Sequence, residues 1–277
     1  MKLNRTQVLV IISAVGLIVL LLFATTKIPK KEDVAAMSGH AGQSSGTGID
    51  KLLEDTKNRL TPAQQQKYKE LEATLSVSAN KNNAFENAVM QWDSLKQPLI
   101  AAHYKEQESV AFPTEKNWQE AGNRYYALTR FVKEDERAIM FGKAIECFEK
   151  TVELDPKNTE VKIDLASCYV EKGDDPMKGI GMLREIEKTD SNNIKLQLNF
   201  AYFSIKSGQW DRAIARFEKV LKIKPDYIEA YLHLADVYEQ KGDKAKTLES
   251  LEKFVALTDD ATLKNEVKGY INKLKNQ

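Results

Sequence analysis

Two cysteines and three histidines are all that 277 residues offer to thiolate or imidazole chemistry. Cys147 and Cys168 are too few for a disulfide scaffold. They read as small, semi-buried hydrophobes on helices of adjacent repeats, with an oxidised pair as the alternative. His40, His103 and His233 show no metal-ligand spacing, so each reads as an ordinary polar residue, and neither a metal nor another cofactor is called for. Charge of one sign is lacking too. Lys plus Arg is 41 and Asp plus Glu is 40, a balance that suggests neither nucleic acid nor a strongly anionic surface as partner. There is no Gly-rich phosphate loop, no HExxH and no strand-borne nucleophile motif. Gly179 and Gly181 lie inside a helical pattern, where Gly179 takes a small-residue packing position. Catalysis, and with it a small-molecule substrate, is not expected.

Long apolar runs are absent with one exception. VLVIISAVGLIVLLLFA (8–24) carries no charge from end to end, and its length matches the short end of the range for a membrane-spanning helix. A cleaved signal peptide is the rival; the run is longer than such segments usually are, and LFATTK is a weak cleavage site. The expected organisation is a short basic head (1–7), a transmembrane anchor (8–26) and a flexible tether (27–49), whose MSGHAGQSSGTG stretch is rich in Gly and Ser. Lys2 and Arg5 lie on one side of the run and Lys27, Lys30 and Lys31 on the other. The short basic head favours an inside N-terminus, which would place the rest in an extracytoplasmic, periplasmic compartment; the cytoplasmic side is the alternative.

What the chain does have is repetition. In GQWDRAIARFEKVLKIKP (208–225), Ile214, Phe217, Val220 and Leu221 form one helical stripe between a glycine and a proline. GKAIECFEKTVELDP (142–156) and GDKAKTLESLEKFVALTD (242–259) repeat it, and residues 173–191 are a looser copy. Gly173, Gly208 and Gly242 recur at one nearly constant interval, and Ala166, Ala201 and Ala235 recur at the same one. Such a period marks an array of helix–turn–helix units. Small residues at Ala144, Ala166, Ala201, Ala213 and Ala235 allow close helix approach, while Tyr125, Phe148, Tyr169, Phe217 and Tyr238 fill the gaps between hairpins. Four units span 114–259. In the first, Gly122 and Ala144 stand much farther apart than Ala201 and Ala213 do in the third. That surplus reads as two lengthened helices joined by the charged KEDER tip (133–137). Residues 260–277 form a capping helix with Leu263, Val267, Ile271 and Leu274 on one stripe. Residues 50–113 are an irregular helical lead-in, with a degenerate repeat as the alternative. There Thr61-Pro62 starts a helix, Ala88, Trp92 and Leu95 line another, and Pro98 forces a break.

These residues resemble the tetratricopeptide repeat (TPR) family of 34-residue units. Trp118, Gly122, Tyr125, Ala144, Phe148 and Pro156 carry the resemblance in the first unit, Phe200, Ala201, Ala213, Phe217 and Pro225 in the third, and Tyr231, Leu234, Ala235 and Tyr238 in the last. The resemblance implies an all-α, right-handed solenoid with a concave face for a protein or peptide partner. In that frame the inward helices present Ile163, Ser167 and Val170, then Leu198, Tyr202 and Ile205, then Leu232, Asp236 and Glu239. Lys195 and Lys206 flank the middle, and Glu229 adds to an acidic last repeat. The expected ligand is a segment with apolar anchors and a basic end; permanent cover by a long helix, from the lead-in or from a second copy, is the alternative. Family members that grip a C-terminal carboxylate carry Lys, Asn, Asn, Lys and Arg where this chain has Gln119, Asn123, Ser167, Leu198 and Tyr202. Only Asn123 agrees, so that activity is not expected. The functional expectation is a membrane-tethered adaptor in the cell envelope, against a scaffold or self-association module at the inner leaflet.

Overall fold

A computed structural model describes residues 46–276, in which thirteen α-helices and no strand occur. The expected anchor at 8–26 lies outside the described residues, as does the tether up to residue 45. Among the described residues no helix is long and apolar enough to cross a membrane. The described chain falls into two compact units, divided between residues 191 and 192.

The first unit holds α1 (Gly46–Asn58), α2 (Pro62–Val77), α3 (Lys81–Ser94), α4 (Pro98–Ala111), α5 (Glu115–Leu128), α6 (Glu134–Leu154), α7 (Thr159–Lys172) and α8 (Pro176–Thr189). Its helices start where the backbone amides of the first turn find an acceptor. The side chains of Thr61, Asn80, Thr114, Asn158 and Asp175 cap α2, α3, α5, α7 and α8. Pro62, Pro98 and Pro176 each occupy a first helical position, where the missing N–H costs nothing. Helix pairs α3/α4, α5/α6 and α7/α8 pack as hairpins, and each hairpin also meets the next. The stretch expected to be irregular is thus four regular helices. The first of them begins at Gly46, inside the stretch expected as tether, because Ile49, Leu52 and Leu53 are buried against α4 and α6.

The surplus in the first TPR-like unit lies in one helix, not two. α5 has an ordinary 14 residues, while α6 has 21. Glu134, Asp135 and Glu136 belong to the first turn of α6, where acids are stabilised by the helix dipole. The charged stretch therefore begins a helix instead of forming a tip. Close packing inside this unit uses its small residues. A Cβ on Gly122 would lie 2.5 Å from the Phe148 ring, and one on Gly179 would lie 2.7 Å from Val170 Cγ2.

The second unit holds α9 (Ile194–Lys206), α10 (Trp210–Ile223), α11 (Ile228–Gln240), α12 (Lys244–Leu257) and α13 (Ala261–Lys275). α9/α10 and α11/α12 are hairpins. The glycines expected to end the first helix of each pair do so with positive φ: 87° at Gly173, 69° at Gly208 and 75° at Gly242. Ala201, Ala213, Ile214, Phe217, Ala230 and Leu234 are buried together between the two hairpins, and Ala201 and Ala213 are completely inaccessible. α13 closes the unit. Val267, Ile271 and Leu274 pack with Ala235, Leu251 and Phe254, and Leu263 lies half-buried on the same cluster.

Candidate partner-binding face

The candidate residues divide between the two units. On α7, Ile163 is completely buried and Ser167 is 3% exposed, with its hydroxyl donating to the Ile163 carbonyl at 2.8 Å. Val170 is half-buried beside Gly179 of α8. This trio is packing, not an open face. α7 buries side chains all around its circumference, since Val161, Leu165, Ala166 and Cys168 are also inaccessible or nearly so.

The second unit carries the exposed candidates. Ile205 is a correction: it is 8% exposed and belongs to the core between the hairpins. Leu198 leans half-buried on that same core, and Leu232 leans on the α11–α13 cluster. Lys195 is half-buried and Lys206 exposed at the edges of α9. Tyr202 is the open member, at 37% exposure. Its ring stands edge-on to Phe217 at 5.8 Å and edge-on to His233 at 5.1 Å. His233 in turn stacks on Phe217 at 5.1 Å with 12° between the rings. The Tyr202 hydroxyl is 3.1 Å from His233 Nε2.

His233 was absent from the expected site. Burial lowers its pKa, with Glu229 pulling the other way. The neutral ring that burial favours shares a hydrogen bond with the Tyr202 hydroxyl through Nε2. The available signal was positional. The separation of His233 from Tyr202 falls one helical turn short of the repeat period, which sets it beside Tyr202 on the neighbouring helix.

Three carboxylates continue the face along α11. Glu229 and Glu239 are exposed and Asp236 is half-buried. Burial raises the pKa of Asp236, and Glu239 adds to the shift. Among the described residues none of the three forms an ion pair. Glu239 accepts a hydrogen bond from the Tyr270 hydroxyl of α13. Within the second unit α13 thus occupies the Leu232–Glu239 side, while Tyr202 is 37% exposed. Elsewhere, Cys147 and Cys168 are buried and not joined by a disulfide, and no group of three metal-binding side chains occurs among the described residues.

An array of antiparallel helix pairs with left-handed glycine turns at a regular interval defines a helical-hairpin repeat protein. Two family models match directly, "TPR repeat" at residues 204–242 and "Tetratricopeptide repeat" at 228–260. Residues 204–260 are thus tetratricopeptide repeats, and the chain contains that repeat. Among solved structures, a tetratricopeptide repeat protein from Parabacteroides merdae superposes with a TM-score of 0.56 at 14% identity, over 83% of this chain and 88% of that one. At that identity the likeness concerns the fold alone. Among curated proteins, a CTR9 homologue from Arabidopsis thaliana is 32% identical over 107 residues. The cytochrome c-type biogenesis protein CcmH from Escherichia coli is 27% identical over 84 residues. These matches cover 37% and 30% of the chain, and they span only 10% and 24% of the relatives' own lengths.

Proposed function

We propose that this chain is a membrane-tethered adaptor whose second unit holds a segment of a partner protein along α9 and α11, on the outer side of the cytoplasmic membrane. The observation that carries this is the juxtaposition of exposed Tyr202 and half-buried His233 with the carboxylates of Glu229, Asp236 and Glu239, which no cation of the described chain offsets. An apolar body beside uncompensated negative charge suits a segment with an aromatic or aliphatic anchor next to Lys or Arg. Lys195 and Lys206 at the other edge orient such a segment by repelling its basic end. The uncharged run at 8–24 supplies the tether. A role in the biogenesis of another protein agrees with the name of one relative, a cytochrome c-type biogenesis protein.

The test is photocrosslinking in whole cells from a reactive residue at Tyr202, with protease access in spheroplasts reporting the side of the membrane. Partner bands that disappear in the Asp236→Asn, Glu239→Gln double variant, while it melts no lower than the parent, support the adaptor. Crosslinks only within the chain itself count against it. A tail shielded from protease until the membrane is broken moves the adaptor to the cytoplasmic side.

A further inference from the structure

Phe131 is a large apolar side chain with no burial to account for it: 83% of it is exposed. It sits in the short connection between α5 and α6, yet that connection is tightly held. The amides of Phe131 and Val132 both donate to the Leu128 carbonyl, at 2.9 and 3.2 Å. Arg137 Nε donates to the Thr129 carbonyl at 3.1 Å, and Thr129 itself is buried. A rigid turn thus presents the ring outward, with Arg130 and Lys133 exposed on either side. The nearby acids are largely engaged in the helix start. Glu134 pairs with Arg137 at 2.6 Å, and Glu136 accepts from the Lys133 amide at 3.3 Å.

The chain enters this unit close to that turn. A Cβ on Gly48 would lie 3.1 Å from Ile139 Cδ1. Ile139 lies in the second turn of α6, about 7–8 Å along the axis from the residue that follows the connection. Residues 25–45, the stretch whose composition reads as a tether, separate the uncharged run from α1, and a random coil of that length would span roughly 25 Å. A bilayer holding residues 8–24 is therefore within reach of the Phe131 turn at high effective concentration, so a weak contact suffices.

We propose that the Phe131 turn is a second, peripheral membrane contact that seats the first unit on the bilayer surface. The aromatic ring enters the headgroup boundary, and Arg130 and Lys133 meet lipid phosphates. This rests on the membrane tether proposed above. Residues 130–137 carry three cations and three anions, so the contact depends on the ring and persists at high salt. The far end of α6, at Leu154, lies about 30 Å away along a 21-residue helix and stays in water.

The test uses the full chain in vesicles of phosphatidylcholine with a minor share of phosphatidylglycerol. A nitroxide is placed through Arg130→Cys, Leu154→Cys or Gln107→Cys; the native thiols are buried and do not compete. Gln107 serves as the rival position because it lines, with exposed Val110, the cleft beside Ile49. The expected result is collision with a water-soluble nickel chelate severalfold lower at position 130 than at 154. Phe131→Ser should restore it while vesicle flotation is unchanged. Equal collision at 130 and 154 in chains that float overturns the turn contact alone, and so does protection confined to position 107. Protection at 130 that is the same without vesicles also overturns it, because it shows a protein contact. Chains that do not float overturn the tether, and the turn contact with it.

Discussion

The hydroxyl of Tyr202 on α9 and Nε2 of His233 on α11 lie 3.1 Å apart, with both rings set against the buried face of Phe217 from α10. Three consecutive helices thus meet in one aromatic stack, and the stack is the part of the second unit where core becomes surface. Because burial lowers the His233 pKa below 6.5, the unfolded chain binds the proton more readily than the folded one. Stability linked to this ring is complete above pH 6.5 and is lost as pH falls below it. His233→Gln should cost about 0.5–1.5 kcal/mol near pH 8, the worth of an aromatic pair. The gap between parent and variant should narrow toward pH 5. His103, also lowered by burial, is common to both proteins and cancels in the difference. Denaturant melts at several pH values check this; a gap that widens on acidification contradicts it.

Asp236 gives the opposite sign. Its raised pKa means that the folded chain holds the proton more tightly than the unfolded chain, so the ionised group opposes folding once pH rises through the window above 3.8. Asp236→Asn should stabilise the protein at neutral pH, on the order of 0.5–1 kcal/mol. The same change should weaken capture of the partner segment at Tyr202. A variant that melts higher and crosslinks less marks a carboxylate kept for binding. One that melts higher with crosslinking unchanged makes Asp236 irrelevant to the face.

Two glycines on successive helices should respond in opposite directions. Gly122→Ala places a methyl 2.5 Å from the Phe148 ring, and Phe148 is completely buried, so overpacking should cost about 1–3 kcal/mol. A Cβ on Gly142, within α6, would meet nothing within 4 Å, so Gly142→Ala should add about 0.5–1 kcal/mol by favouring the helix. Thermal melts of the two variants rank them; equal shifts contradict the packing at Gly122.

Ala201→Leu tests the repeat frame itself. Ala201 is completely buried with Ala213 and Phe217, and three extra carbons there should cost about 1–3 kcal/mol. An unchanged melting temperature would mean that the residue faces solvent.

Cys147 and Cys168 should resist maleimide in the native protein and react on unfolding. Both are inaccessible, and burial, the largest cause at each, pushes both thiols away from the reactive thiolate. Rapid labelling without denaturant would contradict this.

Much of this architecture is local and therefore written along the chain. Gly173, Gly208 and Gly242 end their helices because glycine tolerates positive φ, and the alanines between them mark where helices touch. The stripe of α13 appears as expected, because a helix's 3.6-residue period maps sequence directly onto a face. The open face was not legible in the same way. Ile205 and Tyr202 lie within one turn of the same helix, yet one is core and the other surface. What separates them is where distant residues arrive: Ala213, Ile214, Leu234 and Val237 of α10 and α11 close over Ile205, whereas Tyr202 stands edge-on to Phe217 and His233 at the rim of that core. Nor did the sequence show that most of the surplus before Ala144 belongs to α6, since charged residues suit a loop and a helix's first turn equally well. Helices and turns follow from each residue's own backbone preferences and those of its near neighbours. Exposure follows from which distant side chains arrive, and only the tertiary structure decides that.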